Sequence, residues 1–377
     1  MNRIFGFSPK TALAIISHLG SAAEAFRLSE KELDDILGPY SQHRRQISIR
    51  AYDEAAEELE RLAAGGIQFV GFTEDGYPDL LRECEDAPVG MYVRSSTPAE
   101  ELFAPARRIA VVGTRDISPY GKEWCRRIVG GLAECHDRPV IVSGLAIGTD
   151  ICAHTTALEY GVPTIAVMAT GPDGTYPYRH REYAEMMADT PGCGLITDYP
   201  PGTAPLAIHF LRRNRIIAGL SEATILVESR IKGGGMMTCR LAFSYNRDVY
   251  ALPGRIDDLR SQGCNNLIRN KIAEPIEAVD SLMSNLGLRK GIGGKAKDAG
   301  RDLAEMYRDR LPPEKLPMMI ETAGLIRRCR GITTDEISSK LGISYGTVAQ
   351  LTGMLETDGL ITIDLMRRCS IIVRKSR

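Results

Sequence analysis

Three arginines fall within four residues in His209-Phe-Leu-Arg-Arg-Asn-Arg-Ile-Ile-Ala-Gly-Leu-Ser221, interrupted only by Asn214. Guanidinium groups at Arg212, Arg213 and Arg215, beside the ring of Phe210, offer planar cationic forks for phosphate and a face for a base. That combination suits a single nucleic-acid strand, which carries both charge and aromatic surface. The plain alternative is a solvated basic turn of an amphipathic helix. Earlier in the chain, Arg108-Ile-Ala-Val-Val-Gly-Thr-Arg115 runs an apolar stretch into Gly113, the hydroxyl of Thr114 and the guanidinium of Arg115. These again are groups that bind phosphate.

Further loops could add to such a site. Ser143-Gly-Leu-Ala-Ile-Gly-Thr-Asp150 sets Ser143 and Gly144 just ahead of a helix start, and Ala169–Tyr178 is shaped by glycine and proline. Lys232-Gly-Gly-Gly-Met-Met-Thr238 places Lys232, Gly233 and Gly234 where successive N–H groups form a nest for an anion. A dinucleotide cofactor is not indicated, because Gly113-Thr-Arg lacks the second glycine of G-x-G-x-x-G and no acid ends the second strand. His154 and His209 are isolated and Asp150 sits where it can cap a helix, so no catalytic residue is assigned. The nine cysteines show no C-x-x-C pair and no histidine at ligand spacing, so no metal or cofactor is expected.

The elements that position these loops follow from periodicity. Residues 1–64 read as short helices broken by glycine, with Ser29 and Glu32 at the spacing of a capping box. From Gly65 apolar strands alternate with amphipathic helices up to a last helix, Pro275 to Leu286. This pattern predicts an α/β domain over 65–286, an extended Rossmann-like parallel sheet covered by helices. The right-handed crossover rule gathers the loops after the strands at one rim. Residues 287–314 are glycine- and charge-rich and read as a linker. Over 315–377 the stretch from Thr334, the expected cap of a first helix, through Gly342 and Ser344 has the shape of a helix-turn-helix. Ile361, Ile363 and Leu365, then Ser370–Val373, alternate like the strands of a wing. A helical domain and a winged helix thus flank the sheet.

In 377 residues, 44% are hydrophobic and 25% charged, which is ordinary for a globular protein. A net charge of -1 gives no global basic signature, so any nucleic-acid binding must come from local patches. No signal-peptide pattern and no membrane-length apolar run is seen, and a cytoplasmic protein without membrane contact is expected.

Taken together, the motifs resemble one family. Val112-Gly-Thr-Arg115 with Ser118-x-Tyr-Gly121, Val142–Asp150 with Ala153-His154, Asp173-x-x-Tyr-Pro177 and Tyr199-Pro-Pro-Gly-Thr203 resemble signatures of the DNA processing protein A (DprA/Smf) family. Arg213–Ser221, Arg247–Gly254 and Gly263–Ile268 complete the series in the family order. The resemblance covers about Gly65 to Asp280. It implies a non-enzymatic protein that binds and protects single-stranded DNA and loads RecA recombinase onto it in recombination and natural transformation. It also implies a homodimer, with Gly263–Ile268 as the place to look for the contact, and no nucleotide or metal. By motif match it carries Arg115, Ser143, Gly144, Phe210, Arg213, Asn214 and Arg215 into the DNA site. Three positions depart from the usual pattern: Lys232–Thr238 replaces a Ser-Gly-Ser-Leu loop, Leu211 a proline, and Asp198 a glutamate. Reversing the charge of Arg115 or Arg213 is expected to cut single-strand binding severely with the fold intact. Two other classes fit the residues: a Rossmann-type nucleoside-phosphate hydrolase and a ligand-sensing winged-helix regulator.

Overall fold

In this computed structural model, residues 1–5, 9–104, 106–289, 306–308, 310–328, 332–364 and 367–371 are described. The chain forms two compact units, Met1–Lys290 and Gly291–Arg377. Most of the linker expected over 287–314 lies outside the described residues, as do Leu365, Ile372 and Val373 of the expected wing.

The first unit is built on a nine-stranded sheet. Its strands are β1 (Ile67–Gly71), β2 (Gly90–Arg94), β3 (Arg108–Val112), β4 (Val140–Ser143), β5 (Thr164–Val167), β6 (Gly194–Thr197), β7 (Ala223–Leu226), β8 (Asp248–Ala251) and β9 (Glu274–Pro275). They lie in the order β1-β2-β6-β5-β4-β3-β7-β8-β9. From β6 to β9 every pairing is parallel, while β1 and β2 extend one side antiparallel. The sheet is therefore mixed, and the antiparallel pair is what extends the parallel core. β9 occupies Glu274–Pro275, where a helix start was expected; the helix begins only at Val279.

The unalternating strand β3 is explained by its neighbours. Ile109 and Val111 pack on one face with Ile128, Val129 and Leu132 of the helix Pro119–Ala133. Ala110 and Val112 pack on the other with Ile216 and Ile217 of the helix Ala207–Leu220. Both faces are dry, so both residue parities must be apolar. Each Val or Ile so buried contributes roughly 1.5–3 kcal/mol of transfer free energy.

Strand order reverses at β3. The chain proceeds outward from β3 through β4, β5 and β6, then returns by the helix Ala207–Leu220 to place β7 on the other side of β3. The crevice beyond the carboxyl ends of β3 and β7 is the ligand position of open α/β sheets. The returning helix must cross β5, β4 and β3, and it touches all three.

The head helices Pro9–Leu19, Glu30–Leu37 and Ile49–Ala64 precede the sheet, and the Ser29–Glu32 capping box is present. Their apolar cluster of Phe5, Ile15, Ile16, Phe26, Leu33 and Ile47 also takes in Val89, and Asn2 Nδ2 donates to Gly90 O at 2.8 Å.

The second unit has helices Lys315–Arg328, Thr334–Leu341 and Tyr345–Thr357, with strands β10 (Ile332–Thr333), β11 (Ile361–Ile363) and β12 (Arg368–Ile371). Its core joins Met319, Ile337, Val348, Leu351 and Leu355 to Ile361 and Cys369. Gly342 adopts the left-handed turn, and Ser344 caps the second helix of the pair. The first helix is capped by Thr333, which forms a capping box with Glu336, and Thr334 is buried instead. β10 ends at Thr333 beside β12, so the chain turns one residue earlier than periodicity suggests. Thr333→Ala should destabilise this unit by about 1 kcal/mol, and Thr333→Ser should not. Thermal melts of the two variants check this.

Candidate nucleic-acid interface

The loop after β3 carries an exposed cation of the rim. Arg115 is exposed, and its guanidinium lies 5.0 Å from the centre of the Phe210 ring. Phe210 is half-buried, and Tyr176 meets it edge-on at 5.4 Å. A cation, a ring and a second aromatic are thus in contact where the β3 loop approaches the start of the returning helix. Tyr176, part of the Asp173-x-x-Tyr-Pro177 signature but not among the expected site residues, joins the site here. Its signal was the Tyr-Pro pair inside a loop already read as shaped.

The loop after β4 is locked to that of β3 by backbone contact. Thr149 N and Oγ1 both donate to Thr114 O, at 3.1 and 3.3 Å. Gly148 has φ +88°, and a Cβ there would meet Thr114 O at 2.3 Å, so only glycine permits this approach. Ser143 is fully buried and donates its hydroxyl to Val111 O at 2.7 Å. Its side chain serves the sheet, and the carbonyls of Gly144 and Leu145 are taken by Arg213 and His180.

The arginine cluster divides. Arg212 is exposed, whereas Arg213, Asn214 and Arg215 are buried. Arg213 donates through Nη1 to Gly144 O at 2.6 Å and to Val167 O, joining the ends of β4 and β5. A Cβ on Gly144 would lie 2.2 Å from that same Nη1, so the glycine is there to admit the guanidinium. Arg215 pairs with Asp198 and donates to Asp86 O at 2.8 Å. The reason is topological: a helix crossing three strands buries most of its circumference. In this structure Arg213 lies beneath the loops after β4 and β5, Arg215 ties the helix to the loops beside β6 and β2, and Arg212 faces out.

Burial sets the ionisation beneath these loops. It lowers the Arg213 guanidinium to about 10; Asp150 opposes the change and Arg115 adds to it. Burial raises the Asp150 carboxyl, with Arg213 working against it. Its carboxylate accepts from Ala146 N at 3.4 Å. His154, fully buried with Nδ1 2.8 Å from Thr164 Oγ1, is lowered to about 3 by burial first and then by Arg213 and His180. The unfolded chain therefore binds this proton more readily than the folded one between about pH 6.5 and 3. Stability should fall by up to about 1.4 kcal/mol per pH unit across that window. His154→Gln should flatten the pH dependence of the melting temperature between pH 7 and 5.

The loop after β7 completes the rim. Glu228, almost fully buried, accepts from Ser118 N at 2.9 Å and from Ser118 Oγ at 2.5 Å, tying this loop to that of β3. Lys232 and Gly234 are exposed, and Gly233 is the N-cap residue of the helix Gly234–Ser244. Gly113 and Thr114 are half-buried in the wall between the loops. Among the described residues no group of three or more His, Cys, Asp or Glu side chains could hold a metal ion.

Comparison with known proteins agrees with this architecture. The family model for DNA recombination-mediator protein A matches residues 68–287, and a model described as winged helix-turn-helix DNA-binding matches residues 324–362. Protein Smf of Synechocystis sp. is 38% identical over 221 residues, 58% of this chain and 54% of its own. The DNA processing protein DprA of Streptococcus pneumoniae is 39% identical over 196 residues, 52% of this chain and 66% of its own. The chain thus spans between about half and two-thirds of these two relatives. The X-ray structure of the S. pneumoniae protein is similar with a TM-score of 0.64 at 29% identity, covering 75% of this chain and 94% of that one. A structure of DNA processing protein A from Helicobacter pylori, described for its single-stranded DNA binding mode, is similar with a TM-score of 0.52 at 28% identity. It covers 58% of this chain and 95% of that one. With a family match across more than half its length, over the sheet that carries the crevice, the chain belongs to the DNA recombination-mediator protein A family.

Proposed function

We propose that this protein binds and protects single-stranded DNA and loads RecA recombinase onto it, in recombination and natural transformation. The observation that carries the DNA reading is the contact between the exposed Arg115 guanidinium and the Phe210 ring at the strand-order reversal. Phosphates seat against Arg115, Arg212, Lys232 and the N–H groups of the glycine loops, while Phe210 and Tyr176 stack a base. Arg213, Arg215 and Ser143 act from beneath, by fixing the loops. Such contacts read backbone charge and aromatic faces, so sequence preference is weak. The similar H. pylori protein, described as binding single strands, supports the same reading. We read the chain as a binding protein rather than an enzyme, because Asp150, His154 and His209 are buried and engaged with structural neighbours. Homodimerisation and the RecA contact belong to the same proposal. No helix among the described residues is long and apolar enough to cross a membrane.

The deciding experiment titrates single-stranded against duplex DNA across salt. Single-strand affinity should dominate and fall with salt, with a logarithmic slope of roughly -0.7 per phosphate neutralised. Tight sequence-specific duplex binding would instead favour a regulator, and turnover of nucleoside monophosphates a hydrolase. RecA filament growth on single strands, followed with and without the protein, tests loading separately.

A further inference from the structure

Behind the two loops at the centre of the rim, two thiols face one another. Cys125 lies on the helix Pro119–Ala133 and Cys152 on the helix Thr149–Glu159. The Cys125 Sγ approaches Thr149 O at 3.9 Å, and the Cys152 Sγ approaches Lys122 O at 3.9 Å. Each thiol therefore points at the turn that lies three residues before the other cysteine. The contact is reciprocal across the two packed helices.

The surroundings favour reaction at one of the pair. Cys125 is wholly buried, and Cys152 keeps 7% of its surface exposed. The neighbouring Cys125 thiol, with Arg126 and Lys122 nearby, lowers the Cys152 thiol. The Cys125 thiol is raised by its Cys152 neighbour and by burial. Elsewhere, burial raises Cys84 to about 11 and Cys264 to about 12. Lys122 and Arg126 also line an open groove of about 730 Å³ with Arg127 and Tyr160; neither cysteine lines it, so an oxidant reaches the pair through the exposed edge of Cys152.

We propose that Cys125 and Cys152 form an oxidisable dithiol, closed to a disulfide by a peroxide, that couples redox state to the spacing of the Gly113–Ser118 and Ser143–Gly148 loops. The Cys152 thiolate attacks one peroxide oxygen; the O–O bond breaks, the sulfur becomes a sulfenic acid and the other oxygen leaves as water after protonation. The Cys125 sulfur then attacks the sulfenic sulfur, an S–S bond forms, the S–O bond breaks and a second water leaves. A disulfide draws the sulfurs to about 2 Å. One helix continues directly from the first loop, and the other starts at Thr149, whose N–H and hydroxyl both meet Thr114 O. Closure therefore pulls on the contact that sets the width of the crevice.

The effect on DNA rests on the function proposed above; the crosslink does not. Full-length protein is treated with hydrogen peroxide, mapped by mass spectrometry and titrated with oligothymidine before and after reduction by dithiothreitol. The expected result is a reducible bond between the peptides holding Cys125 and Cys152, with single-strand affinity about tenfold lower in the oxidised form. Cys125→Ser and Cys152→Ser should each bind like reduced wild type, and peroxide should leave their affinity unchanged. Absence of that crosslink in the wild-type protein, or a crosslink that leaves affinity unchanged, overturns the proposal without needing either variant to fold. Failure of the reduced wild type to bind single strands sinks the DNA reading, and the peptide map then still decides whether the dithiol closes.

Discussion

Arg115→Glu should lower single-strand affinity by roughly 100-fold while leaving the melting temperature where it was. A charged hydrogen bond to phosphate is worth about 1.5–3 kcal/mol, and the reversed charge adds repulsion against the strand. Among the described residues this side chain holds no hydrogen bond or ion pair of the fold. It is exposed, its ring contact is with the half-buried Phe210, and no ion pair to it is found among the described residues. Phe210→Ala should follow with a loss of about 1–3 kcal/mol, the range for one stacked base. Anisotropy titrations with oligothymidine at one fixed salt concentration measure both. An Arg115→Glu variant that binds as well as the wild type would remove this rim from the DNA path.

Arg213→Ala should behave in the opposite way, destabilising the protein by about 3–5 kcal/mol and losing DNA binding only as a consequence. Removing the guanidinium strands Asp150 in the interior and leaves Gly144 O and Val167 O without their donor. The expectation from sequence, that reversing Arg213 spares the fold, is therefore revised: Arg213→Glu would set two carboxylates together beneath the crevice. A paired change, Arg213→Met with Asp150→Leu, should recover part of the loss, because it removes the stranded charge as well. Arg213→Lys should not, since its shorter side chain does not carry the ammonium to the place where Arg213 Nη1 meets both carbonyls. Urea denaturation of the alanine, lysine and paired variants tests the assignment, and Arg213→Ala unfolding like wild type would refute it.

What was readable in the sequence follows from what is local. Strands buried on both faces appear as unalternating apolar runs, so β3, β4, β5 and β7 stood out at once, and the glycine loops after them marked the rim. Caps were legible where side chain and turn lie within three residues, as at Ser29 and Ser344. The misplaced cap at Thr334 shows the limit. Whether Thr333 or Thr334 caps depends on β10 pairing with β12, which is a contact across 35 residues. The same limit applies to Arg212, Arg213 and Arg215. Composition shows three cations, but only the path of the helix from β6 to β7 decides which of them reach solvent. The antiparallel pair β1 and β2 was hidden for a related reason, since strand direction within a sheet leaves no mark on a five-residue apolar segment.

The stack of Arg115 on Phe210 has a consequence for discrimination. In the unbound protein the cation covers a ring face that an incoming base would need, so the two halves of a nucleotide are not independent guests. A phosphate that draws the guanidinium outward uncovers the ring, and a base that takes the ring leaves the guanidinium free for phosphate. Occupation of the two subsites is thus linked thermodynamically, each event lowering the cost of the other. A flexible strand can supply both at once. A duplex can supply only the phosphate, because its bases are already stacked on one another, and unstacking one costs a few kcal/mol. Preference for a single strand would then lie in this competition for one ring face, without any contact that inspects the second strand.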